Sequence, residues 1–270
     1  MSRASVPPGS TESGNGLYVY GVVPAAQASE ELFAEAHGVH APGAIVLVAD
    51  GELAAIASDV PLTEFGQKAI ETKLRDEAWL EEKVRAHEAV LEAALLRAPL
   101  VPFRFGTIFR SDEHVRKMLR ENAHLTSVLE RLRGTVELGV KAFLDTDAFE
   151  RRHGGDTEDA PGEGGRAYLL RKQRDRRLAD ERASFTAACA EESHLRLSRA
   201  AEEARANPLH LPEVSGPAGE MLLNGAYLVR AEDEQAFRAA LDDLQSRFGP
   251  EVRYELTGPW PPYNFVELEQ

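Results

Sequence analysis

Residues 221–256, MLLNGAYLVRAEDEQAFRAALDDLQSRFGPEVRYEL, decide the fold class of this chain. Met221 to Arg230 is an apolar run with the composition of a strand. Glu232 to Phe248 then sets Phe237, Ala240, Leu241, Leu244 and Phe248 on one face of a helix, with Gly249 placed to end it. Val252, Tyr254 and Leu256 alternate with charged residues, which restores the strand period of two. Upstream, Val136 to Leu144 is another strand, and Ser111-Asp112-Glu113 caps a helical stretch that runs to about Arg133, either continuous or broken near Asn122. Arg166 to Ala206 contains no Gly or Pro and is dense in Ala, Arg, Glu and Leu, so it reads as one long helix or two abutting ones, ended by Asn207-Pro208. Residues 111–257 are therefore expected to form a C-terminal α+β domain. Its acidic, turn-rich segment Gly154 to Gly165 is expected to be a mobile surface loop.

The first half carries a similar alphabet in its own order. Leu17 to Val23 (LYVYGVV) is a buried-strand run closed by Pro24, and a short helix is expected over Ser29 to Ala36. Ile45 to Ala49 and Leu53 to Ser58 flank Asp50-Gly51, which supplies the turn of an antiparallel hairpin. Asp76 to Leu96 sets Leu80, Val84, His87, Leu91, Ala94 and Leu95 at helical spacing. Leu100 to Phe105 returns as a strand, and Pro102 places it at an edge or a bulge because proline has no N–H for the ladder. Strand, helix, hairpin, helix, strand is the ferredoxin-like βαββαβ order, an antiparallel sheet with helices on one face. It defines an N-terminal α+β domain over residues 17–110, and the C-terminal domain is expected to be ferredoxin-like too. No residue-level repeat links the halves. Residues 1–16 are rich in Ser, Pro and Gly without an apolar run, and read as a disordered leader rather than a signal peptide.

Residues 258–270 form a third kind of segment. Gly258-Pro259-Trp260-Pro261-Pro262-Tyr263-Asn264-Phe265 is too rich in proline to continue a helix or enter a sheet, and too aromatic to stay in water. It is expected to be an extended arm that packs on this protein, spanning its domains, or on a partner. Trp260, Tyr263 and Phe265 are its candidate contacts, and Phe103, Arg104 and Phe105 form a second candidate partner edge, suited to β-augmentation.

Composition removes several function classes. A net charge of −14 opposes binding to nucleic acid or to an anionic membrane, and no run reaches the length of a membrane span. The single Cys189 excludes an intrachain disulfide and fits a reducing cytoplasm; at an apolar helical position it reads as a buried, inert thiol. His37 and His40 lack a third ligand at recognisable spacing, so no metal is expected. His87, on an apolar stripe, reads as a core histidine bonded to a backbone carbonyl. No nucleophile elbow, P-loop or dinucleotide glycine motif is present, and neither catalytic residues nor a cofactor are expected. Arg171, Lys172, Arg174, Arg176 and Arg177 form a basic cluster that is either a solvated face or a docking patch. The alternative class is a small-molecule-binding protein or a cofactor-free monooxygenase-like ferredoxin fold using His87 or Arg104 beside an enclosed pocket.

Four segments together, LYVYGVV, HEAVLEAAL leading into LVPFRFGTIF, LLNGAYLV and TGPWPPYNF, resemble the gas vesicle accessory proteins of the GvpL/GvpF family, in the same order from Leu17 to Phe265. The resemblance embraces the L and F types alike. It implies a two-domain α+β protein of the cytoplasm, associated with gas vesicles and not an enzyme, that assists their assembly by contacting the hydrophobic shell protein or other accessory subunits. Such a chaperone-like role needs adhesive edges and arms, since shell subunits with one apolar face would aggregate before assembly.

Overall fold

The computed structural model describes residues 14–33, 36–40, 44–154, 165–209 and 219–266. The chain is mixed helix and sheet, with two antiparallel sheets in two compact units. One unit runs to Arg133 and also takes in the segment from Pro261; the other is Gly134–Trp260.

In the first unit, β1 (Asn15–Pro24), β2 (Ile45–Asp50), β3 (Leu53–Pro61) and β4 (Val101–Pro102) form an antiparallel sheet in the order β2-β3-β1-β4. A further short strand, β5 (Ile108–Phe109), pairs with the start of β1. Gly51, at φ +60°, turns the β2–β3 hairpin as the sequence predicts. Where a helix is expected after β1, the described chain makes 3-10 turns at Ala25–Gln27 and Glu30–Phe33. Three helices follow β3: α1 (Leu62–Phe65), α2 (Gln67–Lys73) and α3 (Glu77–Leu95). Asp76 caps α3, its carboxylate accepting from the Trp79 backbone N–H at 3.2 Å.

Every residue of β1 from Gly16 to Val23 is buried, and so is nearly all of β3. Successive strand residues face opposite sides, so both faces of this sheet are covered, which is why LYVYGVV reads as a continuous apolar run. On one face α3 packs Val90, Leu91 and Ala94 into a core with Tyr18, Tyr20 and Ile56. The cover that the sequence reading missed is α4 (Asp112–Glu121) and α5 (Leu125–Leu132), which bury Val115, Leu119, Leu125, Leu129 and Leu132 and lie against β1 to β5. The boundary expected at 110/111 is thus displaced to 133/134, and helices cover two faces rather than one. Two short helices with one apolar stripe each cannot form a core of their own.

The β1–β3 register shifts at Tyr20, leaving it without a ladder partner. Such a bulge turns consecutive residues toward one face. Tyr18 and Tyr20, two apart, already share the face against α3, and beyond the bulge the alternation changes phase so that Val23 joins them. Gly21 comes so close to the next strand that a Cβ there would lie 2.6 Å from the Val101 carbonyl.

The second unit holds β6 (Thr135–Leu144), α6 (Thr146–His153), α7 (Gly165–Arg199), β7 (Glu203–Ala206), β8 (Glu220–Arg230), α8 (Glu234–Phe248) and β9 (Val252–Trp260). Its sheet order is β7-β8-β6-β9, so each sheet reads second, third, first, fourth strand along the chain. The core joins Leu138, Val140 and Leu144 of β6 to Phe237, Leu241 and Leu244 of α8 and to Cys189 and Leu197 of α7. Two expectations are corrected here. The long helix stops at Arg199, and Glu203–Ala206 pairs with β8, since ladder hydrogen bonds outweigh the helix propensity of EARA. Trp260 closes β9 instead of belonging to the arm. Pro259 is tolerated there because β9 is an edge strand, and Gly258 takes φ +106° where the register shifts against β6. The leader through residue 13, and residues 155–164 of the acidic loop, lie outside the described residues.

The packing of α4 and α5 makes a direct prediction for truncated chains. A fragment ending at Phe109 leaves the second face of β1 in water and should bind a hydrophobic dye without a cooperative urea transition. By the same reasoning, extension to Arg133 should recover a transition, visible in near-ultraviolet circular dichroism.

Candidate functional site

The densest polar arrangement in the first unit is built around His87, which α3 presents to the aromatic face of β1. Its ring is 1% exposed and lies among Tyr18, Tyr20 and Phe105, with centroids at 5.7, 5.6 and 5.9 Å. Tyr18 in turn touches Phe65, and Phe65 touches Trp79, whose indole N–H donates to Glu64 at 2.9 Å. Hydroxyls and ring nitrogens in such a core must find partners, because each one left alone costs about 1–3 kcal/mol.

They do so in a single directed chain. The Gly106 N–H donates to the Tyr18 hydroxyl at 3.0 Å, and that hydroxyl donates to His87 Nδ1 at 2.9 Å. His87 Nε2 carries the proton and donates to the Tyr263 hydroxyl at 3.1 Å, which donates to Glu88 Oε1 at 3.1 Å. The tautomer follows from the chain's far end, where a carboxylate can only accept. Burial lowers the His87 pKa to about 4, against a hydrogen bond to the Phe103 carbonyl that acts in the other direction, so the imidazole is neutral at pH 7. Burial also raises the Glu88 carboxyl above its ordinary value, against the bond from Tyr263. Tyr20 is satisfied separately, through Ser58 at 2.7 Å and the Val39 N–H at 2.9 Å.

Tyr263 arrives from the closing segment. Phe265, 1% exposed, is buried in this unit, and its carbonyl accepts from Arg131 at 2.7 Å. The segment from Pro261 is therefore a working part of the first core. Of the six candidate contacts, Phe103 is 3% exposed, Phe105 packs edge-on to Tyr18, His87 and Trp79, and Tyr263 and Phe265 are placed as described. Arg104 is exposed. Trp260 lies on the β9 edge at 42% exposure, its indole N–H donating to Thr257 at 3.1 Å. Sequence reasoning found His87 on the right face and expected a backbone-carbonyl partner, which the Phe103 carbonyl supplies. The two tyrosine hydroxyls could not be read from spacing, because they lie 69 and 176 residues away.

In the second unit Cys189 is buried beside Ser193 and Tyr254, and burial pushes its thiol pKa up, away from nucleophilic character. His40 pairs with Glu64 at 3.3 Å, and no group of three metal-ligating side chains gathers among the described residues. No described helix is long and apolar enough to cross a membrane. The basic cluster is fully exposed on α7 beside Tyr168, Leu169 and Leu170, themselves 61, 58 and 51% exposed. Those three apolar residues in succession, off any helical stripe, were the available signal.

Fold and site together define a two-sheet, antiparallel α+β protein whose central histidine is enclosed and fully bonded. The family model of the gas vesicle synthesis protein GvpL/GvpF matches residues 16–267, and the chain belongs to this family. It is 35% identical to gas vesicle protein L of Streptomyces sp. (strain CB03234), over 83% of this chain and 84% of that one. It is 28% identical to gas vesicle protein F1 of Halobacterium salinarum, over 93% of both. The crystal structure of GvpF from Anabaena sp. PCC7120 superposes with a TM-score of 0.69 at 19% identity, covering 95% of this chain and 98% of that one. That of GvpF from Microcystis aeruginosa gives 0.65 at 18% identity, covering 94% and 99%.

The His87 chain has a signed pH signature. Its folded pKa of about 4 lies below the unfolded value near 6.5, so the unfolded state binds more protons between them and stability falls as pH drops through that window, by roughly 2–3 kcal/mol. The raised Glu88 pKa opposes part of this, since its folded form is the better proton binder. His87→Gln should flatten the decline between pH 6.5 and 4 in urea titrations. Tyr263→Phe should cost about 1–3 kcal/mol at pH 7 by stranding His87 Nε2 and Glu88 Oε1.

Proposed function

We propose that this protein is a non-enzymatic accessory factor of gas vesicle assembly, working in the cytoplasm by binding the hydrophobic shell protein or other accessory subunits. The observation that carries the reading is family membership along residues 16–267, with relatives named gas vesicle proteins L and F. The site supports it. A catalytic imidazole needs a free nitrogen facing a substrate, and both His87 nitrogens are engaged by tyrosines inside a filled core. This speaks against the pocket enzyme or small-molecule sensor that the sequence left as the alternative.

The strand order, second-third-first-fourth in both sheets, supports a ferredoxin-like ancestry for each unit. Within that frame the surface-facing members of the six candidates, Arg104 and Trp260, are the partner contacts of this reading. Phe103, Phe105, Tyr263 and Phe265 shape the scaffold beneath. An exposed indole on an edge strand suits an apolar partner, and an edge offers unpaired backbone groups as well.

Removal of the chain from a gas-vesicle-forming host should abolish or shorten the vesicles seen by electron microscopy, and its return should restore them. Trp260→Ala and Arg104→Glu should each lower co-purification of the shell protein by about ten-fold at an unchanged melting temperature. Normal vesicles without the chain would overturn the assembly role. Normal co-purification by both variants would overturn these two contacts.

A further inference from the structure

Edge strand β9 carries a contact on the side turned away from its sheet. The Asp145 N–H donates to the Glu251 carbonyl at 2.8 Å, and from there Val252, Arg253, Tyr254, Glu255 and Leu256 pair in register with Leu144 back to Val140. Backbone groups in an antiparallel strand alternate sides, so residues 251, 253 and 255 bond β6, while Val252, Tyr254 and Leu256 turn their N–H and C=O groups away from it. The sheet order β7-β8-β6-β9 leaves no strand on that outer side among the described residues. Gln245, in the last turn of α8, fills part of it instead. Its Nε2 donates to the Val252 carbonyl at 2.9 Å, and its Oε1 accepts from the Tyr254 N–H at 3.1 Å. One amide that bonds the carbonyl before Arg253 and the N–H after it makes the rung that a residue of a parallel strand would make.

Gly249 leaves room for this amide. Its φ of −71° suits any residue, so backbone freedom does not call for glycine there, whereas a Cβ would lie 2.6 Å from the Gln245 carbonyl and 2.8 Å from Gln245 Nε2. The first unit treats its own edge in the same way. Strand β2 ends the order β2-β3-β1-β4, and the pairing of Asp50 with Leu53 across a two-residue turn points the groups of Ala49 outward. There the Ala49 carbonyl accepts from Arg116 of α4. Unpaired edge groups are templates for a strand of another molecule, and in both sheets a side chain of a neighbouring helix occupies some of them.

The strand that Gln245 excludes can be named from β9 itself. Two copies of β9 set antiparallel about a two-fold axis at Tyr254 place Tyr254 against Tyr254 and Val252 against Leu256, which joins the outward groups of these three residues reciprocally. Arg253 then lies directly opposite Glu255 of the second copy, and Glu255 opposite its Arg253, on the face where these two side chains already pair within one chain. On the other face Tyr254 and Leu256, both half-buried against the core, meet apolar neighbours. An axis at Arg253 or Glu255 would instead set like charges together. The register at Tyr254 needs the Val252 carbonyl and the Tyr254 N–H, and these are the two groups that Gln245 holds.

We propose that Gln245 is a guard of the β9 edge, an autoinhibitory contact that keeps this strand from pairing with β9 of a second copy. Trp260 lies beyond the register shift against β6 and stays uncovered. A side chain that merely braced the turn between α8 and β9 would change stability and leave association alone.

Sedimentation velocity of the full chain separates the two roles. Gln245→Ala should dimerise at a concentration at least about ten-fold below that needed by the parent chain. Gln245→Met, which keeps bulk beside Gly249 without the amide, should do likewise, and its urea midpoint should stay near the parent's because the two released backbone groups return to water. Adding Arg253→Glu to either variant should abolish the gain by setting like charges across the pair, and adding Glu255→Arg to that combination should restore it. Equal association of parent and Gln245 variants, or a gain indifferent to the charges at 253 and 255, would overturn the proposal. So would a parent chain that already dimerises in an Arg253-dependent way.

Discussion

Burial of β1 on both faces is the constraint from which the rest of the first unit follows. A strand covered on each side has no face left for polar groups, yet Tyr18 and Tyr20 bring two hydroxyls into the interior. Each must be bonded where it lies. Tyr20 is answered locally by Ser58 and the Val39 backbone, while Tyr18 requires Gly106 on one side and His87 on the other. His87 then has a second nitrogen to satisfy, and its donor is met by Tyr263 from the far end of the chain. The absent side chain at Gly21 lets β1 lie close to β4, where a Cβ would meet the Val101 carbonyl at 2.6 Å.

That arrangement also decides what the imidazole can do. It is neutral, saturated at both nitrogens and surrounded by aromatic rings, so it serves as a cross-brace between β1, α3 and the closing segment. A buried polar network of this kind favours one packing over others, since any slippage leaves several groups unbonded at once. The chain belongs to the GvpL/GvpF family, whose relatives are named gas vesicle proteins.

The long helix α7 is packed along one part and exposed along another. Its second half buries Cys189, Ser193 and Leu197 in the core of the second unit, while the described side chains from Arg166 to Arg177 are all exposed. The packed half needs no unusual charge pattern, and its pairs, such as Arg196 with Glu192, are ordinary i,i+4 contacts. The exposed half gathers cations where the helix dipole disfavours them.

What the sequence by itself determined were the features carried by local periodicity: the strand at LYVYGVV, the hairpin at Asp50-Gly51, helix α3 with His87 inward, and the strand-helix-strand of residues 221–256. These depend on side-chain spacing and turn chemistry within a few residues, and such signals are complete in one dimension. Tertiary structure alone decided that α4 and α5 close the first sheet, that Glu203–Ala206 leaves the helix for a ladder, and that Trp260 belongs to a strand while Tyr263 and Phe265 belong to a core. It alone brought Tyr18, His87 and Tyr263 together. In each case the deciding energy is a contact between residues far apart in the chain, a buried face needing a cover or a buried donor needing an acceptor, and no local pattern encodes which distant segment will supply it.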